Sequence, residues 1–326
     1  MQTILRNNIV NTALSAILVA GAALVILSPD FLIIKWGANY AVRILFTYLV
    51  LGFLFLIVGQ KRLMMISLFS AGALAIFLKT MTNSEMAPPI KTKDEPTIKV
   101  AHFNVNNSND GFQTTLETIQ STEADLISIT ETNPLWDSLL MKKLNVDYPY
   151  SFSNPSLGLF GMTLFSKNPF TYIDTIRYKE IPNVIGGVAL DDDNTVNFIC
   201  SHTLPALNYR YYNRLKEHLD KISEYCNRTA RPILTFGDYH SVPWSNEIAE
   251  FRANTNLNDS RRGFTPTFPH GASTVFEVPI DHIFFSDEFK CLSFSTVSSL
   301  YTTHMGIQGT FQLKPKSSED AEKENR

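Results

Sequence analysis

The stretch Pro232-Ile-Leu-Thr-Phe-Gly-Asp-Tyr-His240 decides how the rest of the chain is interpreted. Its apolar run ends at Gly237, and a carboxylate, Asp238, follows at once. An apolar run between proline and glycine predicts a buried strand whose carboxyl end opens into a loop. Asp238 could carry out chemistry there, or it could simply form a turn, because Gly-Asp is a common turn sequence.

Polar side chains end several similar apolar runs elsewhere in the chain. These residues are Asn104, Glu131, His202, Asp281 and His304. Each has a local alternative: Asn104 could be a turn residue, Glu131 a helix cap, and the histidines ordinary loop residues. Strands alternate with helices between residues 98 and 313, which predicts a layered α/β sandwich.

The first eighty residues contain three apolar stretches, which run from Ile9 to Ser28, from Tyr40 to Gly59 and from Leu63 to Leu78. Each is long enough, or nearly so, to cross a hydrocarbon core of about 30 Å. Buried helices of a soluble protein are the alternative, but three such stretches with almost no charge favour a membrane anchor over residues 1–80. No small-residue cleavage site is obvious, so we expect an uncleaved anchor rather than a signal peptide.

Positive charges near the apolar stretches give a weak indication of topology. Arg6, Lys61 and Arg62 fall on one side of the predicted anchor, and Lys35 and Lys79 fall on the other. The positive-inside rule then favours a cytoplasmic N-terminus. Three crossings would place everything after the third stretch outside the cytoplasm.

The charge is unevenly distributed along the chain. Residues 1–97 carry eight Lys or Arg against four Asp or Glu, residues 98–313 carry 16 against 23, and residues 314–326 carry four of each. An acidic globular part argues against nucleic acid as its main ligand, since binding to the phosphate backbone of a nucleic acid usually needs a basic protein surface. We expect residues 81–97, which are rich in proline, to be a linker and residues 314–326 to be a disordered charged tail.

In order and spacing, these segments resemble the endonuclease/exonuclease/phosphatase superfamily, the fold of DNase I-like nucleases, over about residues 97–313. Six short motifs carry the resemblance: His102-Phe-Asn104-Val-Asn106, Ile129-Thr-Glu131, Cys200-Ser-His202-Thr203, Gly237-Asp238-Tyr239-His240, Ile280-Asp281-His282 and Thr302-Thr303-His304. The resemblance implies a four-layered α/β sandwich, here preceded by three transmembrane helices.

The resemblance extends to a bacterial, membrane-anchored branch of the superfamily. The features that carry it are the predicted anchor and the stretches Val242-Pro-Trp-Ser245 and Thr267-Phe-Pro269. Proteins of this branch are similar in having a catalytic domain outside the cytoplasm, and some are linked to polyprenyl pyrophosphate hydrolysis. The resemblance therefore implies a multi-pass protein of the bacterial inner membrane with an extracytoplasmic domain. The partners it implies are the bilayer, a lipid-phosphate substrate and other membrane proteins.

The resemblance also implies a division of roles. Glu131, with the carbonyl oxygen of Asn104, is the expected site for Mg²⁺ or Mn²⁺, which prefer oxygen ligands. Asp238 is the expected general base for an attacking water. Asp281 is expected to hold His304, which would act on the phosphate.

Two residues depart from the family motifs, and both fall in the expected site. His240 stands where the family has Asn, and Thr303 stands where it has Asp. His240 could be a metal ligand, a substitute donor or a sign of lost activity, whereas His202 is expected to donate to another phosphate oxygen. Thr303 removes a negative charge that hard cations favour.

Three functions follow from these observations. The first is a membrane-anchored, metal-dependent phosphoesterase that acts on a lipid-linked phosphate or pyrophosphate. The second is a catalytically degenerate domain that serves as a binding or assembly module in a membrane complex, which His240 and Thr303 motivate. The third is a nuclease, which the acidic charge of residues 98–313 disfavours.

Overall fold

The computed structural model describes residues 7–29, 31–83, 85, 87–93, 95–271 and 276–315. Arg6 and residues 316–326 of the predicted charged tail lie outside the described residues. The described chain begins with a group of apolar helices and continues into an α/β domain that carries all the motifs quoted above.

The N-terminal part forms four helices: α1 (Asn8–Leu27), α2 (Leu32–Ala38), α3 (Ala41–Ile57) and α4 (Lys61–Met81). Each predicted apolar stretch corresponds to a helix, whereas the short α2 was not predicted. By length and composition, α1 and α4 could cross a membrane. The α2–α3 pair, bent by 71°, could be a third span if it is counted as one. Two or three of these helices are therefore long and apolar enough to span a bilayer.

The helices are joined to the α/β domain at three of their ends. Domain side chains donate hydrogen bonds to backbone carbonyl oxygens there: Asn246 to Ser28 at 3.0 Å, Trp244 to Ala38 at 2.7 Å and Arg252 to Met81 at 2.7 Å. The end of α1, the turn into α3 and the end of α4 consequently all face the domain.

The α/β domain contains two six-stranded sheets. The first has the order β11-β12-β1-β2-β4-β3, and the second has the order β5-β6-β7-β8-β10-β9. The strands of the first sheet are β1 (Thr97–Asn104), β2 (Leu126–Thr130), β3 (Tyr150–Asn154), β4 (Met162–Ser166), β11 (Phe289–Val297) and β12 (Gly306–Leu313). Those of the second are β5 (Phe170–Tyr178), β6 (Ile181–Ala189), β7 (Thr195–His202), β8 (Ile233–Asp238), β9 (Asn258–Asp259) and β10 (Asp281–Phe285).

Apolar side chains bury the two sheets against each other and against an outer layer of helices. Val100 and Phe311 of the first sheet share a buried cluster with Phe198 of the second. Helices α5 (Phe112–Ser121) and α6 (Pro134–Leu144) cover the first sheet, while α7 (Tyr209–Arg228) and α8 (Asn246–Thr255) cover the second. The predicted four-layered α/β sandwich is confirmed.

Strand β8 is built from the stretch that opened the sequence analysis. All six of its residues are buried, and it lies between β7 and β10. Gly237 has a φ of +152°, and a Cβ atom there would lie 1.8 Å from the carbonyl oxygen of Ser201. Only glycine allows this close approach, which brings Asp238 into the pairing with its neighbours.

The segment predicted to be a linker is irregular but tied to the domain. The side chain of Gln312 donates to the Thr92 carbonyl oxygen at 2.7 Å and accepts from the Thr92 backbone N–H at 2.7 Å. Asn83 donates its backbone N–H to the Arg261 carbonyl oxygen at 2.9 Å. The connection between α4 and β1 therefore runs along the domain surface.

Candidate active site

The sheet registers bring the predicted site residues together. His202 lies opposite Asp238 in the parallel pairing of β7 and β8, and Asp281 lies opposite Asp238 in the antiparallel pairing of β10 and β8. In the first sheet, Asn104 ends β1 and Glu131 directly follows β2, its parallel neighbour. Both sheets therefore contribute to one polar cluster.

Asn104 links the two sheets through its side-chain amide. Its Nδ2 donates to Glu131 Oε1 at 2.8 Å and to Asp238 Oδ2 at 3.2 Å. Its Oδ1 accepts the backbone N–H of Asn106 at 3.0 Å. In this arrangement the amide group orients two carboxylates, so the structure gives Asn104 a positioning contact, and its expected role as a metal ligand stays a prediction.

Asp281 and His304 form a buried pair. His304 Nδ1 lies 3.0 Å from Asp281 Oδ2, and its other ring nitrogen, Nε2, lies 3.7 Å from Asp238 Oδ2. The two side chains of the pair are 1% and 5% exposed. Such a pair fixes the orientation of the imidazole and aims Nε2 at the centre of the cluster.

His202 and His240 stack face to face on the other side of Asp238. Their ring centroids are 5.3 Å apart with an interplanar angle of 16°. His202 Nε2 lies 3.8 Å from Asp238 Oδ2 and 3.9 Å from Glu131 Oε1. The backbone N–H of His240 donates to Asp238 Oδ1 at 3.1 Å. All seven side chains named as site residues from the sequence thus meet in one cluster.

Two of the cluster residues have unusual backbone conformations. Glu131 has a φ of +59° and His240 a φ of +49°. Residues other than glycine enter this left-handed region at a cost, and such residues collect at functional sites. Glu131 directly follows β2, and His240 is the second residue after β8, so both conformations occur where a strand ends.

Burial and the charges of neighbouring groups shift the pKa values of these residues in different directions. Burial and the charge of Asp281 raise the pKa of Asp238 to about 8. Burial alone would lower the pKa of His304, but the carboxylates of Asp281 and Asp238 outweigh it and raise this pKa to about 9. Burial and the charge of His304 lower the pKa of His240 to about 4. Burial also holds the pKa of His202 well below its usual range.

These directions give the cluster a definite charge pattern. At neutral pH His304 is the protonated imidazole, whereas His202 and His240 are neutral and can each offer a ring nitrogen lone pair. The buried Nδ1 atoms of His202 and His240 lack a hydrogen-bond partner among the described residues. The His304 edge of the cluster is therefore cationic, and the edge formed by His202 and His240 can accept hydrogen bonds or coordinate a metal ion.

Two groups within the cluster have the geometry to hold a metal ion. The ligand atoms of His202, Asp238 and His240 lie within 4.8 Å of one another, and so do those of Asp238, Asp281 and His304. Both groups share Asp238, which the sequence analysis placed as a base rather than as a ligand. The donor set of carboxylates and imidazoles fits a divalent cation.

The second departure from the family motifs lies at the rim of the cluster. Thr303 is exposed, and its hydroxyl accepts a hydrogen bond from Asn106 Nδ2 at 3.4 Å. The backbone carbonyl of Thr303 accepts from the His270 N–H at 2.6 Å. Thr303 thus tethers the loop before His304 to the end of β1 by neutral hydrogen bonds, without the charge that an Asp would add.

Sequence reasoning gave no role to three side chains that line the cluster. His102 is buried with Nε2 3.7 Å from Asp281 Oδ1, Phe160 packs edge-on against His202 at 5.5 Å, and Phe268 lies 4.6 Å from the His304 ring. His102 could have been found, because it precedes Asn104 by two residues in a strand and so shares its face. The two phenylalanines lie on loops, where no periodicity indicates their direction.

Comparison with known proteins agrees with this architecture. The Endonuclease/Exonuclease/phosphatase family matches residues 101–300 of the chain. No curated protein matches the chain.

Several solved structures share the fold at low sequence identity. An endonuclease/exonuclease/phosphatase from Beutenbergia cavernae is 16% identical, with a TM-score of 0.56 over 67% of this chain and 72% of that one. A family protein from Bacteroides thetaiotaomicron is 13% identical, with a TM-score of 0.54 over 68% and 100%. TDP2 of D. rerio, complexed with a single strand DNA product, is 15% identical, with a TM-score of 0.56 over 66% and 98%.

Proposed function

The chain belongs to the endonuclease/exonuclease/phosphatase family, and from this premise we propose that it is a membrane-anchored, metal-dependent phosphoesterase. Its proposed substrate is a lipid-linked phosphate or pyrophosphate at the membrane surface. Family membership and the cluster of carboxylates and histidines support the chemistry. The substrate class rests on a separate observation, the position of this cluster relative to the N-terminal helices.

Glu131, the predicted ligand, and the neutral imidazole of His202, whose Nε2 lies 3.9 Å from Glu131 Oε1, are the groups that would hold Mg²⁺ or Mn²⁺ beside Asp238. When bound, such a cation neutralises phosphate charge and activates water. Asn104 keeps the Glu131 and Asp238 carboxylates in place through its two hydrogen bonds. The orientation of these groups is therefore set before any ligand arrives.

The remaining groups would handle protons and phosphate charge. Asp238, with its pKa raised to about 8, suits a general base that takes a proton from an attacking water near neutral pH. His304 is protonated and would donate from Nε2 to a phosphoryl oxygen, while Asp281 holds its Nδ1. A fixed cationic donor stabilises the charge that develops on the transferred group.

The observation that carries the lipid substrate is the packing of the site loops on the helices. Val242, Trp244 and Ile280 share one buried cluster with Leu45 and Leu74 of α3 and α4. Val242 follows His240 by two residues, and Ile280 directly precedes Asp281. The edge of the site thus lies at the junction with the helices, so a bilayer around them would present its phosphates near the catalytic group.

Helix α2 supports the same placement. Its exposed apolar side chains include Ile33 and Trp36, and Phe31 precedes it. The Trp36 indole N–H donates to the Ala206 carbonyl oxygen at 3.1 Å, in the loop that follows His202. Tryptophan with one apolar and one hydrogen-bonded side is typical of a membrane interface. We propose that α2 lies in the interface and that the α/β domain faces the outside of a bacterial inner membrane.

The proposal is tested by phosphate release from the full-length protein in detergent with Mg²⁺ or Mn²⁺. The substrates are polyprenyl pyrophosphate, a phospholipid panel, alkyl phosphates and DNA. Asp238→Asn and His304→Ala should each abolish metal-dependent release, since they remove the base and the cationic donor. Asp192→Asn, at an exposed carboxylate outside the cluster, is the matched control and should keep full activity.

The outcome separates the three functions. Release from lipid substrates that is lost in both site variants and on chelation supports the phosphoesterase. If only DNA is cleaved, the protein is a nuclease. If the native chain releases nothing but His240→Asn with Thr303→Asp switches release on, the domain is the degenerate binding module.

A further inference from the structure

An apolar groove runs along α3 where this helix meets the α/β domain. Its volume is ≈ 630 Å³, which is within the range of small-molecule sites. Phe46, Val50 and Leu51 of α3 form one wall, and Phe264 and Pro266 of the loop before β10 form the other. Phe46 and Val50 are each 58% exposed, so the groove is open along the helix.

The groove has a polar end and an apolar end. Arg43 lines it near the start of α3, on the side of the α/β domain, and Val50 lines it seven residues, or about 10 Å, further along the helix. The Arg43 guanidinium lies 5.7 Å from the Tyr40 ring centroid and interacts electrostatically with Glu277. A charged side chain at the start of an apolar helix marks the level where hydrocarbon meets water.

The loop that walls the groove leads directly to the catalytic cluster. Pro266 and Phe268 are two residues apart, so their Cα atoms are at most about 7 Å apart. The Phe268 ring lies 4.6 Å from the His304 ring. Between them, the buried hydroxyl of Thr267 accepts the backbone N–H of Asp281 at 3.3 Å. The groove and the catalytic pair therefore share one short, hydrogen-bonded segment.

We propose that this groove binds the apolar tail of the lipid phosphate while its phosphoryl group reaches His304. The proposal rests on the proposed function and names how that site would select its substrate. The occupant follows from the two ends of the groove: a hydrocarbon chain fits the Val50 end, and an anionic head fits the Arg43 end. Residues 266–268 connect the wall of the groove to the His304 ring. A structural lipid or a helix of another protein would use the apolar wall alone.

Chain-length dependence tests the tail site. For butyl, octyl, dodecyl and hexadecyl phosphates, catalytic efficiency of the native protein should rise by up to about fourfold per methylene until the groove is filled. Val50→Trp fills the deep end, so it should keep the butyl phosphate rate and lose at least about tenfold on dodecyl phosphate. Leu49→Trp, on the same helix but outside the groove, is the matched control and should match the native protein.

The variant and native rates are compared as a ratio for each substrate. Because both proteins face the same detergent, the partition of that substrate into detergent cancels in the ratio. If Val50→Trp and Leu49→Trp show the same chain-length dependence as the native protein, the groove does not bind the tail and the proposal is overturned.

A binding measurement keeps this test independent of turnover. A dodecyl phosphate with a diazirine on its tail should label residues 42–51 or 264–266 on irradiation, and dodecyl phosphate should compete while dodecanol should not. Labelling without phosphate release from any substrate would support the groove and contradict the proposed function. Labelling elsewhere, or equal competition by dodecanol, would overturn the groove as a lipid-phosphate site.

Discussion

Replacing Lys35 with methionine should weaken the joint between the N-terminal helices and the α/β domain. Lys35 Nζ lies 2.9 Å from Glu247 Oε1, and the two side chains are 9% and 5% exposed. Glu247 also accepts the Tyr212 hydroxyl at 2.6 Å. The variant leaves the Glu247 carboxylate buried without the lysine charge, and removing one partner of a buried pair costs about 3–5 kcal/mol.

The chain offers an exposed ion pair on the same domain helix, α8, as a matched control. Lys216 of α7 lies 3.4 Å from Glu250 of α8, but these side chains are 37% and 58% exposed. Lys216→Met should therefore cost less than about 1 kcal/mol. Thermal unfolding in detergent measures the free-energy change, and hydrogen exchange of the α2 amides reports whether the joint itself opens.

A double-mutant cycle decides whether the pair is responsible. Glu247→Gln keeps the side-chain shape, and combining it with Lys35→Met removes both charges at once. If the pair matters, the double variant should be more stable than the sum of the single effects implies, with a coupling of about 1–3 kcal/mol. Equal losses for Lys35→Met and Lys216→Met, or additive losses for Lys35→Met and Glu247→Gln, would refute the reasoning.

Three further predictions concern the stability of the domain. Gly237→Ala should cost about 3 kcal/mol or prevent folding, because its Cβ would meet the Ser201 carbonyl oxygen; wild-type stability would contradict the close approach. Trp244→Phe should lower the free energy of unfolding by about 1–3 kcal/mol, because it leaves the Ala38 carbonyl oxygen unpaired. An unchanged melting temperature would show that water replaces the indole N–H as the donor. Burial lowers the folded-state pKa of His218 to about 3, so its contribution is complete above about pH 6.5 and is lost as the pH falls towards 3. His218→Gln should accordingly flatten the acid side of the stability curve by up to about 1.4 kcal/mol per pH unit, and an unchanged slope would assign the acid sensitivity to other groups.

The convergence of the site could be predicted because its residues stand at strand ends. A buried strand is recognisable from a continuous apolar run, as at β8, and the residue that follows it has a known place at the edge of the sheet. His102 illustrates what the same logic could have added, since alternation in β1 places it beside Asn104.

The edge strands and the joint could not be predicted on the same grounds. Strands β3, β5 and β11 mix exposed and buried positions, so they lack the continuous apolar run that identified the central strands. Helix α6 did carry a local signal, because Asn133 caps it and Pro134 opens it. Lys35 and Glu247 are 212 residues apart, and no local pattern connects them.

The three hydrogen bonds at Ser28, Ala38 and Met81 have a mechanical consequence. A domain on a single flexible linker samples many heights above a bilayer. A domain that is hydrogen-bonded to the helices at three separated points keeps one height and one orientation. In the proposed membrane setting, the catalytic group would stay at a fixed height above the hydrocarbon core. It would therefore cleave only phosphate bonds that lie at that same height. Headgroups that carry the phosphate further into the water would pass above it uncut.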